Sequence, residues 1–440
     1  MKKFFLCSAL LLAAAIVGIN AQNNLADKMK YNRSSLSTWM VYNPADTFVN
    51  ELRTAFSDIP CPDKYDDHNI DMESRFLSAE DLKLRTVWGA VLSTKAQEEN
   101  RDSLLAYLNR NNVAKTLVAK WFGFYKNNQQ KFDVDLLVER GNYNASELDI
   151  AKVRNTVRGE GLLADAGEEL IGNTYILIND IQYVSKEEQM ELAKLILQTT
   201  GGAVDLILNM LSGDNSNATE EMMKTLMKFI EPYVGGFKVR TYSYLYRLQW
   251  NDSIANIFYD KYYTETGDPE KIAAFLADST TFRMEPAAYQ YEYAAKSKLK
   301  GSYDQKELIK LVTTRSLDNN IASLQKQYED FKVKAPIISV ELDKKGKVAS
   351  VTAQIGEKEG IDKKSKFQVL QMEIDDKGRT KYKKVGTLKI SGKVWDNRYG
   401  AASEKESGSE LTATTFKVTS GTNFYPGMLI IEGQYRKAIE

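Results

Sequence analysis

The chain has 440 residues, with 59 basic and 59 acidic side chains and a single histidine. This balance creates no strong overall field for nucleic acid or an anionic lipid surface, so nucleic acid is not an expected partner. The length allows two or three domains, and one histidine with two cysteines cannot supply the ligands of a zinc site.

The first 21 residues have the pattern of a secretory signal peptide. Lys2 and Lys3 precede an apolar run from Phe4 to Val17, and Ala21 offers a small residue at the cleavage point. The run is too short to span a bilayer, and no cysteine ends it that could carry a lipid. We therefore predict an exported protein, periplasmic or associated with the outer membrane. Its one remaining cysteine, Cys61, allows no internal disulfide.

Residues 22–100 are predicted to form a mostly helical region. Apolar residues between Asp46 and Phe56 recur at helical spacing, and Ser78 is expected to begin a second helix that continues to Val91. Between them an acidic loop surrounds His68. Its carboxylates are Asp63, Asp66, Asp67, Asp71 and Glu73. Hard cations bind several carboxylates, but a solvated loop explains this spacing better, so no metal is predicted.

Residues 101–334 are predicted to form an α/β domain. A helix is expected from about Arg101, and alternating apolar and acidic residues predict a strand over 132–138. After the Gly172-Asn173 turn, the apolar run from Tyr175 to Val184 predicts a buried interior strand. Near its end, the pattern from Asp304 to Phe331 predicts a long helix.

A helical insert is predicted over 185–232, beginning at a capping box formed by Ser185 and Glu188. One of its helices carries Met222, Met223 and Met227. A helical hairpin that packs on itself or on the sheet is one interpretation. The other is a methionine-rich surface for a partner protein or for peripheral contact with a membrane. These helices are too short to span a bilayer.

An aromatic strand is predicted from Phe237 to Trp250, followed by a turn at Asn251–Ser253 and a hairpin partner over 254–263. One face of this strand carries Tyr242, Tyr244, Tyr246 and Trp250. Such a face can stack on sugars or bind a partner protein. Cross-strand aromatic pairs covered by helices are the alternative.

A small all-β domain is predicted over 335–440, beyond a boundary at Ala335-Pro336. Six short strand patterns separated by turns, without a helix, are typical of a barrel or sandwich. The predicted fold class is thus α+β: a mixed α/β sandwich domain with a helical insertion, followed by a small all-β barrel-like domain.

Two stretches resemble known families of the bacterial envelope. The segments FDVDLLVER (132–140), GEELIGNTYILI (167–178) and GFKV (236–239) resemble the periplasmic α/β domain of the curli secretion channel family. The same fold occurs in periplasmic activators of peptidoglycan synthases and in the middle domain of a flagellar assembly protein. The resemblance implies an envelope protein that binds or organises other envelope components.

The C-terminal stretch is similar to the terminal barrel of that flagellar protein. The similarity rests on IGEKEGIDKKSKFQV (355–369), the Val385-Gly386 step and YPGML (425–429). The Ala-Gln signal cut and the Tyr- and Asn-rich chain resemble exported proteins of the Bacteroidetes. In those bacteria a short Asp-Ser/Thr-X pattern is O-glycosylated. Of three matches, Ser253 is the candidate for modification because it is predicted to lie in a turn.

The function predicted is that of a non-enzymatic binding or scaffold protein of the envelope, acting through protein–protein contacts. Nucleophile elbows and phosphate-binding glycine loops are absent from the sequence, and no catalytic residue or cofactor is predicted. One alternative is a carbohydrate-binding accessory protein that uses the tyrosine and tryptophan faces. Another is a hydrolase that uses paired carboxylates such as Asp165, Glu168 and Glu169.

Overall fold

The computed structural model describes residues 35–59, 65, 76–85, 92–126, 129–144, 167–185, 187–189, 237–296, 304–332, 334–374, 380–400 and 411–433. These residues form a five-stranded mixed sheet with helices on both faces, followed by six strands that close into a barrel. The predicted α+β class is confirmed.

The sheet contains strands β1 to β5, in the order β2-β1-β3-β4-β5. β1 is parallel to both β2 and β3, whereas β4 lies between β3 and β5 and is antiparallel to both. The bounds are β1 (Ser35–Tyr42), β2 (Phe76–Ser78), β3 (Thr174–Tyr183), β4 (Phe237–Leu248) and β5 (Met284–Lys296).

The helices of this part lie on the two faces of the sheet. Their bounds are α1 (Val49–Ser57), α2 (Thr94–Arg110), α3 (Val113–Trp121), α4 (Asp135–Asn144), α5 (Asp252–Lys261), α6 (Pro269–Ala277) and α7 (Gln305–Gln327). α7 confirms the predicted long helix, and the Asp304 side chain caps it by accepting from the Glu307 amide at 2.7 Å.

β3 is the central strand, as its apolar run predicts. Its first eight residues are buried, because alternate side chains enter the cores on opposite faces of the sheet. Ile176 and Ile178 pack with Leu104 of α2 and Leu117 of α3. On the other face, Leu177 packs with residues of α1 and α7.

The prediction of a separate, mostly helical region over 22–100 does not hold for its described residues, because β1 and β2 belong to the same sheet as β3. Ser78 is the last residue of β2 rather than the start of a helix. Its hydroxyl accepts from the Asp81 amide at 3.3 Å, which stabilises a turn by the same kind of bond that caps a helix.

Two other predicted strands are helices. The alternating stretch 132–138 leads into α4, and the Asp133 carboxylate accepts from the Asp135 amide at 3.0 Å. The stretch 254–263, predicted as the hairpin partner of the aromatic strand, lies largely in α5. β4 pairs instead with β3 and, on its other side, with β5, which lies beyond both α5 and α6 in the chain.

The barrel contains β6 to β11 in the ring order β10-β7-β6-β11-β8-β9. The bounds are β6 (Ala335–Leu342), β7 (Val348–Ala353), β8 (Lys366–Ile374), β9 (Thr380–Ile390), β10 (Thr414–Ser420) and β11 (Leu429–Glu432). Phe367, Leu388, Phe416 and Ile430 point into its core. Gly386 leaves room for Phe424, because a Cβ atom there would lie 2.3 Å from the Phe424 ring.

The barrel packs against α7. The Lys326 ammonium donates to the Gly360 carbonyl at 2.9 Å, and Arg315 donates to the Tyr399 carbonyl at 3.1 Å. The Lys310 ammonium also lies 5.7 Å from the centre of the Tyr399 ring. α7 therefore contacts both the sheet and the barrel.

Candidate binding surfaces

The predicted tyrosine face is buried and does not form a binding surface. Tyr242, Tyr244 and Tyr246 are each at most 1% exposed, in the core under α2 and α3. The ring centres of Tyr242 and Tyr291 are 4.9 Å apart, and those of Tyr244 and Tyr289 are 6.4 Å apart. This is the alternative of cross-strand aromatic pairs covered by helices.

Hydrogen bonds connect these tyrosines to the covering layer. The Tyr242 hydroxyl accepts from the Leu92 amide at 2.9 Å, and the Tyr246 hydroxyl donates to the Arg101 carbonyl at 2.8 Å. Burial raises the pKa of Tyr242 to about 12 and that of Tyr246 well above its ordinary value. Both phenols therefore stay neutral and orient the helical layer.

Trp250 is half-buried and does not form the exposed aromatic face that stacking on a sugar would require. Its ring packs against Phe122 and Phe258, and its indole N–H donates to the Glu168 carboxylate at 3.3 Å. The Tyr259 hydroxyl lies 3.5 Å from the other Glu168 oxygen. Glu168, one of the carboxylates considered for hydrolysis, thus has aromatic hydrogen-bond partners.

Ser253 lies in the first turn of α5 rather than in a hairpin turn, and it is exposed. The Asn251 side chain caps this helix by accepting from the amides of Ser253 and Ile254, both at 3.1 Å. The exposed hydroxyl is accessible to a modifying enzyme. O-glycosylation of Ser253 stays a prediction.

Met222, Met223 and Met227 lie outside the described residues, as do Asp165, Cys61, His68 and the acidic residues around His68. The start of the insert is described. Ser185 and Glu188 form the predicted capping box, with reciprocal bonds of 3.0 and 3.1 Å between side chain and amide. In the described part of the chain, no three His, Cys, Asp or Glu side chains are grouped to hold a metal.

An ionic cluster lies where β3 ends and β4 begins; it consists of the buried Asp180, Glu188 and Arg240 and the half-buried Asp46. The Arg240 guanidinium is 3.6 Å from the Glu188 carboxylate, and both side chains are at most 5% exposed. Arg240 also donates to the Gln182 side chain at 3.4 Å, which in turn donates to Asp180 at 2.9 Å.

Asp180 has the most perturbed carboxyl of this cluster. Burial, followed by repulsion from Asp46, raises its pKa to about 7, although Gln182 and Arg240 oppose this shift. Burial and the nearby Glu188 also raise the pKa of Asp46. The polar pair Asn179-Asp180 inside an apolar run is the signal of this cluster in the sequence, but its partners Asp46, Glu188 and Arg240 are not evident from local spacing.

A groove of about 440 Å³ lies against residues 286–289 of β5. It is lined by Arg101, Pro286, Ala287, Ala288, Tyr289 and Gln327. Arg101 belongs to α2 on one face of the sheet, and Gln327 ends α7 on the other face. We call this feature the edge groove, since it lies between the two helical layers along the sheet edge.

Side chains hold the walls of the edge groove in place. Gln327 donates to the Gln290 side chain at 2.5 Å. The Arg101 guanidinium lies 2.8 Å from the Asp102 carboxylate, and this hydrogen bond raises the pKa of Arg101. Its side chain is 28% exposed, so the guanidinium remains accessible from solvent.

β5 is an edge strand within the described part of the chain, where only β4 pairs with it. Its start is protected. Asn109 bonds both the amide and the carbonyl of Met284, at 2.9 and 3.3 Å, and Pro286 has no amide hydrogen to offer. A register shift opposite Leu245 and Tyr246 leaves Ala287 out of the pairing. Beyond this bulge the strand continues to Lys296.

Comparisons with known proteins give no family: no family model matches the chain, and no curated protein matches it in sequence. The likeness to the envelope families therefore stays a prediction, and one of its segments, 132–140, leads into helix α4. No helix in the described ranges has the length and apolar character needed to cross a membrane.

Proposed function

We propose that the protein is a non-enzymatic component of the bacterial envelope that binds an extended segment of a partner protein along β5. It is exported to the periplasm or to the outer membrane. The observation that carries this proposal is the edge groove, which residues 286–289 of β5 line between Arg101 and Gln327. Among the described residues, β5 pairs only with β4, so its outer edge offers further backbone groups.

In this proposal the partner segment binds as an additional strand that pairs with β5. An exposed sheet edge offers backbone donors and acceptors to an incoming strand, and nearby pockets select its side chains. β5 has 13 residues, which is enough for a partner strand of ordinary length beyond the protected start. Asn109 and Pro286 limit pairing at that start. Proteins commonly block part of an edge strand in this way, which prevents aggregation.

Arg101 indicates the chemistry of the partner segment. Its guanidinium has five N–H donors, and Asp102 occupies only part of them. A carboxylate in the groove would accept from the remaining donors in a charge-assisted hydrogen bond. We therefore propose an extended segment that carries an acidic side chain.

The two alternatives lack a comparable observation. A carbohydrate platform needs exposed rings, but Tyr242, Tyr244 and Tyr246 are buried. A hydrolase needs a pair of accessible carboxylates, but Glu168 is bonded to Trp250 and lies beside Tyr259. Protein binding is therefore the function we propose.

Selection from a library of random linear peptides tests this proposal. Peptides selected on the purified protein should carry acidic residues. Their affinity should fall about 10- to 100-fold in Arg101→Glu, because a hydrogen bond to a charged group contributes about 1.5–3 kcal/mol. Gln327→Trp, which places a large ring at the groove, should weaken binding as well.

Lys95→Glu is the matched control, since it makes the same charge change on an exposed residue of α2 outside the groove lining. It should leave the affinity unchanged. Circular dichroism should show that all variants are folded. Peptides that bind Arg101→Glu and Gln327→Trp as tightly as the unmodified protein would contradict the proposal.

A further inference from the structure

Three lysines face each other across adjacent strands of the barrel. Lys366 of β8 pairs with Lys389 of β9, and Lys389 pairs on its other side with Lys417 of β10. All three are exposed. We call them the lysine row, and it crosses the strands at right angles with a spacing of about 4.8 Å from strand to strand.

The row lies on the outer face of the barrel. The sequence neighbours Phe367, Leu388 and Phe416 are buried in the barrel core, and side chains alternate between the two faces of a strand. The three ammonium groups therefore project into solvent from one side of the barrel.

This arrangement is unfavourable for the isolated protein. Like charges directly opposite each other on neighbouring strands destabilise a sheet. Among the described residues, none of the three lysines forms an ion pair. On the Lys417 side, the row reaches an acid only two strands further on, at Glu341, which accepts from the Ser350 hydroxyl.

Hydroxyl groups surround the row. Thr387 is the next outward residue on β9, and its hydroxyl lies 2.7 Å from those of Thr419 and Ser420 on β10. Ser350 of β7 continues the row beside Lys417. The face thus combines a line of positive charge with hydrogen-bonding hydroxyls.

We propose that the lysine row binds an acidic polysaccharide whose chain crosses strands β8, β9 and β10. The carboxylates of successive sugars would pair with the lysines, and the sugar hydroxyls would bond with the threonine and serine hydroxyls. This site lies on the barrel and is independent of the edge groove and its protein partner.

The chemistry of the face favours this ligand over other anions. Single-stranded nucleic acids bind where bases stack on aromatic side chains, but threonine and serine flank these lysines. Peripheral membrane binding combines basic residues with apolar ones that enter the bilayer, and the lysine row and its flanking hydroxyl residues contain none. Charge and hydroxyls together suit an anionic sugar chain.

Binding to polygalacturonate, measured by isothermal titration calorimetry over a range of salt concentrations, tests the proposal. The triple variant Lys366→Gln, Lys389→Gln, Lys417→Gln should bind roughly 100-fold more weakly, as expected for three lysines at an anionic surface. The slope of log affinity against log salt should decrease in magnitude by about 2, at about 0.7 per neutralised charge as on single-stranded polyanions.

The control variant Lys95→Gln, Lys131→Gln, Lys306→Gln removes the same charge from exposed lysines outside the barrel, and should bind like the unmodified protein. The lysine-row variant should unfold at an equal or higher temperature, because the repulsion is removed. Equal binding by all three proteins would overturn the proposal. It would also be overturned if single-stranded DNA or anionic lipid vesicles bound at the row and polygalacturonate did not.

Discussion

At the scale of single residues, the apolar pattern predicts which segments enter the core but not how buried polar groups are satisfied. The run from Tyr175 to Val184 predicts a buried strand, yet Asn179 and Asp180 lie inside it. Asn179 accepts from Ser243 at 2.6 Å, and Ser243 accepts from Asn320 of α7 at 2.7 Å. Those partners lie more than 60 residues away in the chain, so local periodicity carries no information about them.

Asp180 makes the stability of the protein depend on pH. Its raised pKa means that the folded protein keeps a proton up to about pH 7, whereas an unfolded chain releases it near pH 4. The stabilisation is therefore complete below about pH 4 and is lost as the pH rises through 7. Asp180→Asn removes this dependence, because asparagine stays neutral and its oxygen can still accept from Gln182.

Chemical denaturation at several pH values measures the effect. The unfolding free energy of Asp180→Asn relative to the unmodified protein should increase between pH 4 and pH 8. The increase should be at most about 4 kcal/mol, as three pKa units imply. A difference that stays constant over this pH range would show that Asp180 is ionised in the folded protein at pH 4 to 7.

At the scale of elements, capping residues distinguish a helix from a strand where a short apolar pattern is compatible with both. The stretch 132–138 alternates apolar and acidic residues, which is compatible with a strand, and 254–263 follows a predicted turn at Asn251–Ser253, which favours a hairpin strand. In α5, however, Asn251 binds two amides of the first turn, and Asp252 provides an acidic residue there. Both features stabilise a helix start, and they are visible in the sequence.

Asn251→Ala should destabilise the protein by about 1 kcal/mol, because two amides of α5 lose their acceptor. Ser253→Ala, two residues further on, removes an exposed hydroxyl and should change stability by less than about 0.5 kcal/mol. Thermal unfolding of the pair measures both values. Equal effects of the two substitutions would mean that Asn251 does not cap the helix.

At the scale of the whole molecule, the presence of a sheet and a barrel was predictable from the sequence. Which strands belong to the sheet was not predictable. β1 pairs with both β2 and β3 across long stretches of chain, and parallel pairing leaves no hairpin signal. The edge groove was also not predictable, because it depends on the order of the strands and on two helices that meet β5 from opposite faces.

The contact between barrel and α7 should couple the unfolding of the two parts. Lys326→Ala with Tyr399→Ala removes the bond to Gly360 and the ring beside Lys310. Calorimetry of this double variant should resolve two transitions where the unmodified protein shows one, because the stabilities of the two parts are no longer shared. A single, unchanged transition would show that these contacts do not couple them.

We expect β5 to accept a partner strand along the edge groove. Hydrogen–deuterium exchange with and without a selected acidic peptide measures this binding strand by strand, because each amide reports its own protection. Bound peptide should slow exchange in β5 beyond the Ala287 bulge and leave the amides of β3, which are paired on both sides, unchanged. Protection elsewhere, with β5 exchanging at its original rate, would show that the peptide does not bind along β5.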